Sequence, residues 1–240
     1  MYQKERSDVI FKQFSKTGAG HLRCRGENQD QVLYLARDGV EGIALADGAG
    51  SARFGRLGAR EACRAALEYV LHHFQQLYER MEANAIRYEV LHAVQTELDR
   101  MAGALDLKGR KELGSTLLLL CWEPAGGRYL CLHVGDGLVG CVHQSQCITI
   151  SSPVNGITSC FTTLTTSSDC LLRCRVFRGV RQGAVFFLMS DGCTRYLREG
   201  DRFLPGAEAR ILQQDWAGLE AELDRQTPED DYSFIALAPR

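Results

Sequence analysis

The chain has 240 residues, a length that fits one domain or two, since domains commonly hold about 100–200 residues. Hydrophobic residues make up 45% and charged residues 24%, values that exclude a mainly disordered chain. The 28 Lys and Arg against 30 Asp and Glu give a net charge of −2, which argues against a nucleic-acid partner and a polybasic membrane anchor. No run approaches the roughly 18 apolar residues of a membrane span, so we expect no membrane partner.

The ten cysteines could indicate a disulfide-built secreted protein, but their setting argues otherwise. The first residues, MYQKERSDVIFKQFSK, lack the apolar core of a signal peptide. Cys63, Cys121, Cys131 and Cys141 lie in hydrophobic runs, where a free thiol packs as a small apolar side chain. No CxxC pair is present to hold zinc or form a redox centre. We therefore predict a cytoplasmic protein with reduced thiols.

The order of apolar residues predicts an α+β domain. Residues 59–78 and 86–105 repeat apolar side chains at intervals of three or four, which is typical of helices with one buried face. Residues 214–226 predict a further helix. Short glycine-bearing connections between the later strands favour antiparallel hairpins. The predicted strands are 32–36, 42–46, 116–122, 129–134, 138–143, 171–177, 184–190 and 232–237.

Aspartates stand at the ends of several of these strands. Asp47, Asp136 and Asp191 each follow an apolar run and precede a glycine, while Asp30 and Asp230 stand close before strands. Any single Asp-Gly pair is also the signature of a type I′ hairpin turn, which is the alternative interpretation. Because antiparallel neighbours place the end of one strand beside the start of the next, we expect the five carboxylates to converge at one sheet edge.

Converging carboxylates repel each other unless a cation neutralises them. Oxygen ligands without His or Cys select Mg²⁺ or Mn²⁺ over zinc or copper. Two such ions can hold phosphate oxygens and activate a water molecule. The pattern therefore predicts a divalent-metal centre suited to phosphate chemistry.

Six short motifs follow one another along the chain: RGENQD at 25–30, ADG at 46–48, GST at 114–116, VGDG at 134–137, SDG at 190–192 and DD at 230–231. Taken in this order, they resemble those of the protein phosphatase 2C family, the metal-dependent serine/threonine phosphatases, in its bacterial branch. The resemblance implies a four-layer α-β-β-α sandwich, with two mostly antiparallel sheets flanked by helix pairs, as a single catalytic domain over residues 1–240.

The resemblance also implies roles for individual residues. Asp47 would bridge two metal ions, with Asp191 and Asp230 completing the first site and Asp30 serving the second, directly or through water. Asp136 would serve a third, looser ion, which makes two or three Mn²⁺ or Mg²⁺ ions in all. The remaining implied ligand is the carbonyl oxygen of Gly48.

Arg25 matches the family arginine that grips the substrate phosphate, a task that suits a planar bidentate donor. With Asp47 it forms the implied catalytic pair. The implied reaction is hydrolysis of phosphoserine or phosphothreonine in proteins by a metal-bridging hydroxide, without a phosphoenzyme. The implied partners are a phosphoprotein substrate and a cognate serine/threonine kinase or its targets, and we expect a monomer.

The chain departs from the family pattern in four places, and two of these departures, Gln29 and Ala49, support an alternative. Gln29 stands where many members have Glu, Ala49 where some have a proposed general-acid His, and Leu138 where a polar residue is usual. The Ser- and Thr-rich stretch 151–168 matches the mobile flap of the family only loosely. The alternative is a pseudophosphatase that binds a phosphoprotein or a kinase without catalysis.

Other enzyme classes lack their motifs. Residues 135–140 match GxGxxG, but strand-like sequence follows where a dinucleotide site needs a helix. No cysteine is followed by five residues and an arginine, which excludes the cysteine-phosphatase loop.

Overall fold

The computed structural model describes residues 9–153 and 162–240, which form antiparallel sheets and helices. The strands, in chain order, are β1 (Val9–Lys16), β2 (Asp30–Arg37), β3 (Val40–Asp47), β4 (Leu117–Glu123), β5 (Arg128–Val134), β6 (Leu138–His143), β7 (Gln146–Ser151), β8 (Arg175–Val180), β9 (Val185–Met189), β10 (Arg198–Glu199), β11 (Arg202–Phe203) and β12 (Tyr232–Pro239). One five-stranded sheet has the order β2-β3-β4-β5-β8 and the other β1-β12-β9-β6-β7, while β10 and β11 form a small hairpin.

The helices lie outside these two sheets. In chain order they are α1 (Ala19–Arg23), α2 (Gly55–Arg80), α3 (Ala83–Ala104), α4 (Cys170–Arg173), α5 (Asp191–Leu197), α6 (Pro205–Leu212) and α7 (Trp216–Gln226), with a 3₁₀ turn at Arg110–Leu113. Helices α2 and α3 cover the first sheet, and α5, α6 and α7 cover the second.

Alternation along the central strands explains why the two sheets stack. On β3, Ile43 and Leu45 face the second sheet, while Ala44 and Ala46 face helix α2. Because successive side chains of a strand point to opposite faces, one run of apolar residues supplies two different cores. Between the sheets, Trp122 of β4 meets Phe186 of β9 with ring centroids 5.6 Å apart.

A third apolar layer fixes α6 and α7 on the second sheet. Trp216, at the start of α7, lies against Phe234 of β12 with ring centroids 4.8 Å apart. Leu219 and Leu223, one helical turn apart, are fully buried in the same cluster as Phe187 of β9. Three apolar clusters therefore join helices, sheet, sheet and helices into four layers, which confirms the predicted α+β sandwich.

Most predicted elements are present, but the prediction of a strand at 171–177 is wrong in its first half. Residues Cys170–Arg173 form α4, and the strand runs instead over Arg175–Val180. The alternating pattern of the sequence begins only after Cys174, whose buried side chain belongs to the helix-side core. Strand β1, at the edge of the second sheet, and helices α5 and α6 were not predicted from the sequence.

None of the described helices is both long enough and apolar enough to cross a bilayer. The described cysteines, which exclude Cys160, are all free thiols, and Cys63, Cys121, Cys131 and Cys141 are buried as predicted.

Candidate metal centre

Antiparallel pairing of β2 with β3 places Asp30 directly opposite Asp47 at one end of the first sheet. Thr116, just before β4, fixes the Asp47 backbone from both sides. The Asp47 amide donates to the Thr116 hydroxyl, and the Thr116 amide donates to the Asp47 carbonyl, both at 2.8 Å. The next residue, Gly48, forms an isolated antiparallel bridge with Ser115.

The second sheet brings three more carboxylates to this end. Asp136 lies between β5 and β6, Asp191 begins α5 directly after β9, and Asp230 lies just before β12. Burial raises the pKa of Asp47 well above its usual range, and the negative charges of Asp30 and of these three aspartates raise it further. The structure thus brings together the five aspartates that the sequence analysis singled out.

The glycines after these aspartates are not there for hairpin turns. Gly48, Gly137 and Gly192 do not have the positive φ that a type I′ turn requires, so the turn interpretation is wrong. At all three the backbone passes too close for a side chain, and a Cβ at Gly137 would lie 2.8 Å from the Met189 carbonyl oxygen. A Cβ at Gly48 would lie 2.4 Å from the backbone of Gly55, and one at Gly192 would lie 2.1 Å from the Asp231 carbonyl oxygen.

The carboxylates of this cluster are poorly compensated. Both oxygens of Asp30 and one of Asp191 are buried without a well-formed hydrogen bond. Burial, together with the charges of Asp231 and Asp191, raises the pKa of Asp30 to about 7. The nearby hydroxyls of Ser190 and Ser233 act in the opposite direction and lower this pKa. Burial and the charge of Asp136 likewise raise the pKa of Asp191 to about 6. Buried carboxylates with orphaned oxygens are what a divalent cation stabilises.

Among residues 9–153 and 162–240, no group of three or more His, Cys, Asp or Glu side chains is close enough together to cage an ion by itself. Magnesium retains several water ligands and is usually held by one or two carboxylates, so a complete protein cage is not required. The donor set is all oxygen, which suits Mg²⁺ or Mn²⁺. The residues present therefore fit partly hydrated hard cations.

Asp231, the neighbour of Asp230, has a role that the sequence did not reveal. Its buried carboxylate accepts hydrogen bonds from the backbone amides of Gly18, at 2.8 Å, and Gln29, at 2.7 Å. It also pairs with His21 Nδ1 at 2.9 Å. Asp231 therefore ties the α1 segment to the start of β2, whereas Asp230 remains on the side of the carboxylate cluster.

Arg195 is a second residue that the sequence analysis missed. From α5 it forms ion pairs with Asp191, four residues earlier in the helix, and with Asp230 at 3.5 Å. The i,i+4 spacing from Asp191 is a signal that could have revealed the first pair. Among the described residues, Arg195 is the positively charged side chain that pairs with these two aspartates.

Arg25 lies in the loop between α1 and β2, with its backbone in the left-handed region at φ 55°. Its side chain is exposed and makes no ion pair with any described residue, and the structure gives no contact between it and the carboxylates. The loop itself is fixed by Asp231 through Gln29, one residue before Asp30. Arg25 thus has its guanidinium donors open to a ligand.

The departures from the family pattern have clear positions. Leu138 is a fully buried core residue at the start of β6, and Ala49 donates its amide to the Gly114 carbonyl at 2.9 Å. The amide oxygen of Gln29 is buried and unpartnered. Of the stretch 151–168, residues 154–161 lie outside the described part, while the Thr162 hydroxyl donates to Asp136.

Cys193, two residues after Asp191, is a small buried residue. Burial raises the pKa of its thiol well above the usual range. Its Sγ donates to the Ser233 carbonyl at 3.3 Å, so it is a packing group rather than a reactive thiolate.

Comparisons with known proteins agree with this geometry. The family model described as "Protein phosphatase 2C" matches residues 17–226. The fold is similar to the serine/threonine phosphatase of S. agalactiae (TM-score 0.71, 17% identity, covering 97% of this chain and 100% of that one). It is also similar to the catalytic domain of the phosphatase PstP in complex with two manganese ions (TM-score 0.65, 17% identity, 96% and 97% covered).

A third similar structure is RsbX in complex with magnesium (TM-score 0.60, 13% identity, 97% and 96% covered). No curated protein matches the chain. The family model covers most of the sequence, and the fold and the order of its motifs agree with it. The chain belongs to the protein phosphatase 2C family.

Proposed function

We propose that the chain hydrolyses phosphoserine and phosphothreonine in proteins at the carboxylate cluster, with Mn²⁺ or Mg²⁺ as cofactor. The observation that carries the proposal is the convergence of five aspartates at one end of both sheets. Asp30 and Asp191 have buried oxygens without a hydrogen-bond partner, and the pKa values of Asp30, Asp47 and Asp191 are raised. Mutual repulsion in such a cluster destabilises the metal-free fold, and bound cations would remove this repulsion. Two similar structures hold manganese or magnesium.

The chain's own residues divide the work between the two sheets. Asp47, held on its backbone by Thr116, would contact two ions, with Asp191 and Asp230 on one side and Asp30 on the other. The Gly48 carbonyl and Asp136 are the further proposed ligands, the latter for a third ion. Divalent cations bound there supply charge neutralisation at the phosphate and an activated water.

Arg25 is the proposed phosphate-binding residue. Its open guanidinium can donate two parallel hydrogen bonds to the phosphate oxygens, which orients the ester for in-line attack. Cys193, the thiol close to Asp191, is buried with a raised pKa and is therefore a poor nucleophile, so we propose single-step hydrolysis by water without a phosphoenzyme. The physiological partners would be phosphoproteins and the kinase that produces them.

The test is phosphate release from phosphoserine and phosphothreonine peptides during titration with Mn²⁺, with and without chelator. We expect metal-dependent release that Asp47→Asn and Asp191→Asn reduce by at least about 100-fold, through lost metal binding. Asp38→Asn is the matched control. Asp38 lies in the turn at the opposite end of the β2–β3 hairpin, and asparagine tolerates its φ of 50°.

The same experiment separates the pseudophosphatase alternative. If calorimetry shows that the protein binds the phosphopeptides, but no phosphate is released at any metal concentration, the protein would be a binding module. Equal release by wild type and Asp191→Asn would also contradict the proposed site. Labelled phosphate trapped on the protein would contradict the single-step mechanism.

A further inference from the structure

A basic groove lies beside the carboxylate cluster, and the residues that line it have no role in the proposed reaction. It is a cavity of about 480 Å³, within the range of ligand sites, lined by Arg53, Arg56 and Arg60. Glu27 is the one acidic residue among its lining groups, so the groove carries an excess of positive charge. Phe54 adds an apolar wall.

The three arginines are exposed and only partly neutralised. Arg56 pairs with Glu27, and Arg60 pairs at 3.0 Å with Glu61, which is also bound by Arg64 at 2.9 Å. Among described residues Arg53 makes no ion pair. Its guanidinium lies over the Phe54 ring, 5.0 Å from the centroid, where stacking leaves the donors at its edge available.

The start of α2 adds to the same field. This helix of 26 residues begins at Gly55 in the groove wall, and it has neither a side-chain cap nor an acidic residue in its first turn. No acidic residue in the first turn of the helix therefore opposes the partial positive charge of its N-terminus. Lining arginines and helix dipole point to one kind of ligand, an anion.

The groove also adjoins the proposed reaction site. Gln29 lines it and is the residue directly before Asp30. Gly55, in its wall, is packed against the backbone of Gly48, a proposed metal ligand. A peptide whose phosphorylated residue sits at the carboxylate cluster therefore has the groove within reach of its neighbouring residues.

The cavity on the other side of the cluster has no such bias. It measures about 590 Å³ and is lined by Arg195 and Arg198 together with Asp136, Asp191 and Asp201. Mixed charges do not favour either sign of ligand. Of these two cavities, the arginine groove is therefore the one that can select a ligand by its charge.

We propose that the groove lined by Arg53, Arg56 and Arg60 binds acidic residues flanking the phosphorylated side chain, so that the enzyme prefers acidic phosphopeptides. This inference rests on the proposed function and narrows its substrate class. The anionic groups that the arginines would bind are carboxylates, or a second phosphate on a multiply phosphorylated segment.

The test compares phosphothreonine peptides that differ only in their flanks, carrying Asp and Glu, Asn and Gln, or a second phosphoserine. The full chain is assayed with Mn²⁺ for kcat/KM. Because each exposed ion pair contributes up to about fivefold, we expect the acidic peptide to exceed the neutral one by roughly tenfold, mostly through KM. The excess should shrink as salt is raised. The doubly phosphorylated peptide shows whether phosphate competes with carboxylate there.

Arg53→Gln should lower the acidic-to-neutral ratio about threefold, and the combined change of all three arginines to glutamine should bring it near one. Arg225→Gln is the matched control, since it removes the same charge from an exposed position on α7. Arg53→Gln breaks no ion pair, so it remains informative if the triple variant is unstable. Arg53→Glu should reverse the preference toward a lysine-flanked peptide.

The inference is overturned if wild type shows no acidic preference, if the triple variant retains it, or if Arg225→Gln lowers it equally. Loss of turnover on every peptide is a different result, because it contradicts the proposed function. In that case the affinities of fluorescent versions of the same peptides, measured by anisotropy, decide whether the groove selects acidic flanks.

Discussion

Replacing Asp30 by asparagine should stabilise the metal-free protein at alkaline pH. Burial raises the pKa of Asp30 from 3.8 to about 7, so the folded chain binds a proton that the unfolded chain releases. Stability from this group is present below the unfolded pKa and is lost as pH rises toward 7. At about 1.4 kcal/mol for each pH unit, ionised Asp30 costs the folded state roughly 4 kcal/mol at pH 8, as an upper limit.

The assay is thermal unfolding in chelator at pH 5 and pH 8. Asparagine has the same shape without the charge, so Asp30→Asn should raise Tm at pH 8 by up to roughly 8–16 °C for a domain of this size. At pH 5 the gain should fall to about 1.6 kcal/mol, because Asp30 is then protonated in the folded state but already ionised in the unfolded state. Adding Mn²⁺ should stabilise wild type more than the variant. A variant no more stable than wild type at pH 8, or one matched by Asp38→Asn, would refute this reasoning.

Three further changes test other parts of the site. Arg25→Ala should raise KM for phosphopeptides about tenfold or more while Mn²⁺ affinity measured by calorimetry stays constant, since the guanidinium is assigned to phosphate alone. Arg195→Gln should tighten Mn²⁺ binding severalfold in the same calorimetric experiment and lower the Tm of the metal-free protein, because the arginine competes with the ion for Asp191. Thr116→Val should destabilise the protein by about 1–3 kcal/mol in urea unfolding, because the Asp47 amide loses its acceptor; a smaller loss would show that this bond does not hold the strand end.

The position of the carboxylate cluster could be predicted because strand ends are visible in the sequence. Asp47 and Asp191 follow unbroken apolar runs, and antiparallel pairing leaves such ends at one edge. The register between Asp30 and Asp47 follows from a short turn at Asp38 and Gly39, where both residues have positive φ. Local pattern and hairpin geometry thus fix this half of the site.

The remaining features depend on contacts between distant segments. Nothing in the pair Asp230-Asp231 indicates which carboxylate turns inward to bind the amides of Gly18 and Gln29. Strand β1 has only two buried residues, Val9 and Phe14, because it lies at a sheet edge, so its pattern is weak. The sequence did not predict the groove, because arginines near the start of a helix are common. Arg53, Arg56 and Arg60 line one cavity only when α2 packs beside β2.

The near-neutral total of −2 conceals opposite charges in neighbouring places, and each has a physical consequence. The aspartates cost stability when metal-free, so the apolar layers around them must hold strand ends that would otherwise separate. Thr116 and Ser190 are buried close to the acids, and their hydroxyls accept hydrogen bonds from the backbone amides of Asp47 and Ser233. They therefore fix these strand ends without adding charge. Placing the arginines in a separate groove, rather than among the aspartates, leaves the carboxylate oxygens available for cations. Arg195 departs from that separation, and metal affinity is therefore the property through which its effect should be measured.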